Sequence, residues 1–195
     1  PDNCLKLDYH MVSDADTIAN FTNHVYFNLG GYKSGSALDQ KVWIDADYFT
    51  ATDANSIPTG ELVAVKGTPM DFTEMKPIGR DIQEDYQALK YGNGYDHNWA
   101  LNHPAGELSL SAKAEDEKTG RTMEVYTDLP GVQFYTANSL KTEHGKNHAV
   151  YTPRCGYCFE TQYFPDAINK PEFVSPVVKA GEEYKTTTIY KFGVK

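Results

Sequence analysis

The chain of 195 residues predicts an all-β protein of mostly antiparallel strands, the pattern of a sandwich. Three observations predict it. Short runs in which apolar and polar residues alternate recur from end to end. Clusters of Gly, Pro, Asp, Asn and Ser separate those runs. Outside residues 81–89 no stretch has helical periodicity, so nothing is available to build crossovers between parallel strands.

Taken in order, Leu5, Leu7, Tyr9 and Met11 share one face of a first strand, with Lys6, Asp8 and His10 on the other. A turn at 13–16 leads into residues 22–29, read as a short strand that stops at Gly30 and Gly31. A period of two sends Val25, Phe27 and Leu29 to the core and leaves His24, Tyr26 and Asn28 as a polar pocket wall. Residues 32–40 are loop, 42–49 alternate as one strand, and Pro58-Thr59-Gly60 turns the chain into 61–65. Residues 68–79 read as irregular connection and 81–89 as a short helix. Residues 93–101 form a second cluster of pocket-type side chains after a glycine turn. Strands follow at 108–114 and 122–127, joined by a hairpin loop at 116–120, and then at 132–136. A polar loop at 141–151, a strand at 156–164, a connection at 168–182 and a last strand at 186–194 complete the chain.

A hydrophobic fraction of 40%, with 13% aromatic residues, suits a packed core, and the length suits one domain spanning 1–195. The net charge of −9 repels phosphate backbones and anionic lipid, so neither nucleic acid nor membrane is an expected partner. No apolar run is long enough to cross a bilayer, and no basic-then-apolar leader opens the chain. Three scattered cysteines, Cys4, Cys155 and Cys158, imply no disulfide framework, and a reducing cytoplasm is the expected location. A strand begins almost at Pro1. That points to a cleaved product or the second portion of a longer polypeptide, or to a start methionine removed before proline.

Several motifs compete for a chemical reading. Cys155-Gly156-Tyr157-Cys158 has thiol-disulfide spacing, but strand-like residues follow it where a redox motif needs a helix N-terminus. No second cysteine pair completes a zinc site, and His144 and His148 sit in a glycine-containing loop that reads as solvated. Gly92-Asn93-Gly94 lacks the third glycine and the following helix of a dinucleotide site. His24 taken alone reads as a histidine tied into the structure by hydrogen bonds before it reads as a catalytic group. Glu160 lies in a nearly uncharged aromatic run, on the strand face shared by Cys158, Gln162 and Phe164. Either it faces water from an edge strand, or burial raises its pKa and makes it a general base. An imidazole and such a carboxylate together supply an acid and a base near neutral pH.

Four blocks, in this order, resemble the aldose 1-epimerase (galactose mutarotase) family: Thr22-Asn23-His24-Val25-Tyr26-Phe27-Asn28-Leu29, Gly94-Tyr95-Asp96-His97-Asn98, Pro130-Gly131-Val132-Gln133-Phe134-Tyr135-Thr136 and Cys158-Phe159-Glu160-Thr161-Gln162. Weaker matches around Pro58-Thr59-Gly60-Glu61 and Gly67-Thr68-Pro69-Met70-Asp71-Phe72 extend the resemblance over nearly the whole chain. It implies a large antiparallel β-sandwich with a sugar cleft on a concave face. It implies His24 as general acid, Glu160 as general base, and Asp96 and Gln133 as sugar-binding side chains, with no metal and no cofactor. The two proton-transfer groups are then expected to face one another across a groove that holds one pyranose. Ring chemistry adds Tyr26 and Trp99 as apolar walls for the sugar.

The reaction so implied is interconversion of the α and β anomers of a free aldohexose such as galactose or glucose. The expected partners are that monosaccharide and an N-terminal segment or companion chain that completes the sandwich, because family members carry further N-terminal strands with an arginine and a histidine. Ala137 stands where glycine is common, and Phe159 where leucine is usual, both read as packing changes. Two other readings remain: a carbohydrate-binding sandwich without catalysis, and an epimerase of hexose 6-phosphates, which calls for basic residues that the four blocks scarcely hold.

Overall fold

The structure, a computed structural model, describes residues 2–195. In chain order its strands are β1 (Cys4–Val12), β2 (Thr17–Ile18), β3 (Lys41–Ile44), β4 (Tyr48–Thr52), β5 (Pro58–Ala64) and β6 (Lys76–Pro77). After α1 (Gln87–Gly92), the one α-helix among the described residues, come β7 (Asp96–Ala100), β8 (Ser109–Glu115), β9 (Arg121–Thr127), β10 (Gly131–Tyr135), β11 (Cys158–Gln162), β12 (Val177–Val178) and β13 (Glu183–Val194). They form a six-stranded sheet in the order β1-β13-β9-β8-β3-β6, a five-stranded sheet in the order β11-β10-β7-β4-β5, and the small pair β12-β2. Every pairing is antiparallel. No helix among the described residues is long and apolar enough to cross a membrane.

The two large sheets share one hydrophobic core. Val42, Ile44, Ala112, Met123, Val125 and Tyr190 from the first pack with Phe49, Trp99, Val132, Phe134 and Phe159 from the second. Alternation explains which residues arrive there: in β10, Val132 and Phe134 are fully buried while Gln133 and Tyr135 point the other way. Phe134 stacks on Phe159 with ring centroids 5.2 Å apart. Polar contacts cross the core as well. The hydroxyls of Thr161 in β11 and Thr188 in β13 lie 2.6 Å apart, and the buried Tyr190 hydroxyl reaches the Phe159 carbonyl at 2.8 Å.

Four sequence expectations are corrected by the structure. Residues 42–49 are not one strand: the chain leaves β3 at Ile44 and enters β4, which belongs to the other sheet, at Tyr48. The crossing is secured by Asp45, whose amide donates to the Ser111 carbonyl and whose carboxylate accepts from Asn102 Nδ2 at 2.9 Å. The helix expected at 81–89 is displaced to Gln87–Gly92, because Asp81 is drawn to Lys76 Nζ at 2.7 Å and Arg80 Nε at 3.1 Å, and Asn93 ends the helix in the left-handed conformation. Phe164 leaves β11's cleft face and packs with Phe173 in a separate cluster.

The fourth correction concerns residues 22–29, which form an extended strap rather than a sheet strand. Phe27 alone pairs, in a bridge to Tyr157. The alternation holds at Phe27 and Leu29, which reach the core, and at His24 and Tyr26, which line the cleft, but without a continuous ladder Val25 is left exposed. Asn28, expected on the pocket wall, is consumed by structure: its Nδ2 donates to the Cys155 and Gly35 carbonyls, and its Oδ1 accepts from Gln40 Nε2 at 2.7 Å.

Candidate active site

Strands β7, β10 and β11 lie side by side in the five-stranded sheet, and their outward residues make the floor of a cleft. Register sets them in rows. Asp96, Tyr135 and Cys158 occupy one row, and Asn98, Gln133 and Glu160 the next. Gln162 adjoins Gly131, whose missing side chain matters: a Cβ there would stand 2.5 Å from Asn98 Oδ1 and 2.9 Å from the Phe164 ring. The cleft holds about 390 Å³, lined by the outward residues of these strands with His24, Tyr26 and Pro165 at its rim. A larger cleft of about 860 Å³ opens around Asp47, Asp71 and Arg80, but none of His24, Asp96, Gln133 and Glu160 lines it.

The strap brings His24 to this floor. Its anchors are the Phe27–Tyr157 bridge, with N···O distances of 2.7 and 3.0 Å, the paired bonds between the Asn20 side chain and the Tyr163 backbone, and the Tyr190 hydroxyl, 2.6 Å from Asn23 Oδ1. His24 Nδ1 then lies 3.4 Å from Cys158 Sγ, and His24 Nε2 lies 3.4 Å from Glu160 Oε1. The rings of Tyr26 and Tyr135 hold the imidazole on its flanks, with centroids at 5.0 and 5.8 Å. The histidine is half exposed, at 49% of its side chain, whereas Glu160 is exposed by only 12%.

Burial governs the charges. Loss of solvent pushes the Glu160 carboxyl above the usual glutamate range, and the charge of Asp96 adds to this while His24 opposes it. Asp96 is also raised by burial, offset by the amide of Gln133, whose Nε2 donates to Asp96 Oδ1 at 2.8 Å. Burial raises the Cys158 thiol strongly, as do the neighbouring carboxylates of Glu160 and Asp96. The Tyr26 phenol is pushed up to about 12, first by burial. Behind this layer, Gln162 Nε2 donates to Asn98 Oδ1 at 3.2 Å and approaches Gln133 Oε1 at 3.4 Å, so the floor is braced by amides.

His24, Glu160, Asp96 and Gln133, separated in the chain, therefore meet in one cleft. His24 and Glu160 do not face each other across it, as expected from sequence: at 3.4 Å the rim imidazole and the floor carboxylate are too close for a pyranose to lie between them. Trp99 is absent from the cleft. It is fully buried on the core side of β7, with Nε1 donating to the Met70 carbonyl at 3.1 Å. The reason is parity: three residues from Asp96, it faces the opposite side of the strand. Tyr135, two residues beyond Gln133, lines the cleft instead, a placement the same spacing rule could have supplied. The contact between Cys158 and His24 had no sequence signal.

A profile of the family described as "Aldose 1-epimerase" matches residues 1–191. The chain belongs to the aldose 1-epimerase family. This member is 42% identical to human galactose mutarotase over 191 residues, which are 97% of the chain and 54% of that protein. It is 33% identical to the aldose 1-epimerase of Escherichia coli K12 over 193 residues, 98% of the chain and 55% of the relative. Among solved structures, a galactose 1-epimerase from Lactobacillus acidophilus superposes with a TM-score of 0.83 at 29% identity, covering 99% of this chain and 54% of the other. An aldose epimerase homologue from C. elegans gives a TM-score of 0.87 at 23% identity, covering 99% and 57%, a likeness of fold. This epimerase-family chain thus has the antiparallel fold of galactose mutarotases and spans about half the length of the relatives it matches.

Proposed function

We propose that this cleft interconverts the α and β anomers of a free aldohexose, with His24 as general acid and Glu160 as general base. The observation that carries the reading is the 3.4 Å spacing of His24 Nε2 and Glu160 Oε1. In a cyclic aldose the anomeric hydroxyl oxygen and the ring oxygen are bonded to the same carbon, so the two groups that exchange protons with them must be neighbours. An imidazolium beside a carboxylate is also the protonation state the first step needs.

Glu160 takes the proton from the anomeric hydroxyl as His24 gives one to the ring oxygen. The bond from C1 to the ring oxygen breaks and C1 becomes an aldehyde. Rotation about the C1–C2 bond presents the other carbonyl face. On closure the C5 hydroxyl attacks C1, the imidazole recovers the hydroxyl proton, and the protonated Glu160 returns its proton to the former aldehyde oxygen. Asp96 keeps one oxygen on Gln133 and offers the other to sugar hydroxyls, with Gln133 beside it. The Tyr26 and Tyr135 rings provide apolar surface for the sugar face.

Charge favours an unphosphorylated sugar. The side chains that the described residues contribute to the cleft include Asp96 and Glu160 and no lysine or arginine, so a phosphate group would meet repulsion from this part of it. Two catalytic groups in contact also argue against a purely binding sandwich, which needs neither. We read residues 1–195 as one domain corresponding to the C-terminal part of the family fold, completed by a further segment or companion chain, and place it in the cytoplasm. Polarimetry on freshly dissolved α-D-galactose and α-D-glucose tests the activity. Accelerated decay of rotation supports it, while saturable sugar binding with an uncatalysed rate would leave only a lectin.

A further inference from the structure

Cys158 takes no part in the proton transfers just described, yet it is fully buried against the histidine that does. One donor atom from each of His24, Cys158 and Glu160 lies within 4.8 Å of the other two, the sole such trio of histidine, cysteine and carboxylate groups among the described residues. We propose that these three side chains form a binding site for a thiophilic divalent cation of the zinc class, and that its occupation reversibly switches the cleft off. The switching half of this proposal rests on the assignment of His24 and Glu160 above; the binding half does not.

The geometry fits such an ion. Zinc bonds sulfur at about 2.3 Å and imidazole nitrogen at about 2.0 Å, so tetrahedral angles set those two donors roughly 3.5 Å apart. Cys158 Sγ and His24 Nδ1 are 3.4 Å apart. Cys158 and Glu160, two residues apart on β11, project from the same face, and a donor atom of each lies within 4.8 Å of the His24 ring nitrogen. The fourth position opens to the cleft, where water completes the shell.

Chemistry selects the class of ion. Hard cations such as magnesium and calcium need a cage of oxygens, whereas one thiolate, one imidazole and one carboxylate suit zinc or cadmium. On binding, the thiol proton of Cys158 leaves to solvent and the thiolate, the neutral imidazole and the carboxylate each donate an electron pair. Two negative ligands balance the dication, so the loaded site carries no net charge into a partly buried position. Burial first, and then the carboxylates of Glu160 and Asp96, make Cys158 hold its proton in the free protein, and those same charges attract a cation to it. With the ion on Nδ1 the His24 ring cannot become an imidazolium, and a Glu160 carboxylate bound to the ion is no longer a free base, so sugar and metal compete.

The test uses the chelator-treated chain, titrated with cadmium while the thiolate-to-cadmium charge-transfer absorbance is recorded, and with zinc in a calorimeter. One ion per chain is expected, with binding at least about tenfold weaker in Cys158→Ser and in His24→Asn. The double variant Cys4→Ser/Cys155→Ser leaves Cys158 as its single thiol and should keep the full band, which decides the matter even if Cys158→Ser does not fold. Zinc should also abolish mutarotation, with recovery on adding EDTA. A band that survives in folded Cys158→Ser, or that vanishes from the double variant, overturns the site, as does the absence of stoichiometric binding. If the band behaves as expected in a chain that never accelerates mutarotation, the metal site stands and the enzymatic reading falls. Mutarotation that is undisturbed by saturating zinc removes the switch.

Discussion

His24 Nε2 stands 3.4 Å from Glu160 Oε1, although the first is carried by a strap that is barely paired and the second by β11 within the sheet. What makes this contact dependable is the number of independent ties on the strap, at Asn20, Asn23 and Phe27. The pair is therefore organised before any sugar arrives.

If the two groups divide the proton transfers, removing either should cost at least about a hundredfold in kcat, the lower end of what one positioned acid or base contributes. Glu160→Gln and His24→Asn keep the shape of the cleft, so sugar binding should survive. Polarimetric rates paired with sugar affinity from calorimetry check both halves. Near wild-type rates in the two variants would remove the assigned roles.

Glu160 must be ionised to act as base, and burial places its carboxyl above the ordinary range, so activity should fall on acidification at a pH above that of an exposed glutamate. Asp96 contributes to that elevation through its charge. Asp96→Asn should thus shift the acidic limb of the kcat profile downward while raising KM through the lost sugar contact. An acidic limb that moves upward, or stays put, in a pH-rate series would break the electrostatic link.

Gly131 occupies its position because no side chain fits there. In Gly131→Ala the new Cβ would press on Asn98 Oδ1 at 2.5 Å and on Phe164 at 2.9 Å, both buried groups. Overpacking of this kind typically costs about 1–3 kcal/mol. Urea denaturation should show that loss as a lower midpoint with unchanged slope.

His97 sits 1% exposed among Phe49 and Trp99, and burial lowers its pKa from 6.5 to about 4. Its Nδ1 already accepts the Asp96 amide at 3.1 Å, which suits the neutral ring. The unfolded chain binds this proton at higher pH than the folded one, so stability is complete above pH 6.5 and declines as pH falls toward 4. The loss attributable to this group approaches roughly 3 kcal/mol. Urea unfolding at several pH values in that window should show a component of the slope that His97→Gln lacks.

The pocket floor was legible in part because strand parity is local. Gln133 implies Tyr135, Glu160 implies Gln162, and Asp96 excludes Trp99, all from a period of two. The same rule placed His24, Tyr26, Phe27 and Leu29 but missed Val25 and Asn28, in a segment that has no ladder to enforce it. It also ran past Asp45, since alternation continues across the point where the chain changes sheets and carries no mark of the crossing.

By itself the sequence determined that the chain is β-rich and antiparallel, and which residue types are available for acid-base chemistry, because alternation, turn residues and the identity of ionisable side chains are properties of short stretches. Only the tertiary structure decided that His24 and Glu160 lie side by side instead of facing across the groove, and that Cys158 lies against the imidazole. Those relations depend on the register of β10 with β11 and on where the strap is tied, and both are set by contacts between segments far apart in the chain, which no local pattern encodes.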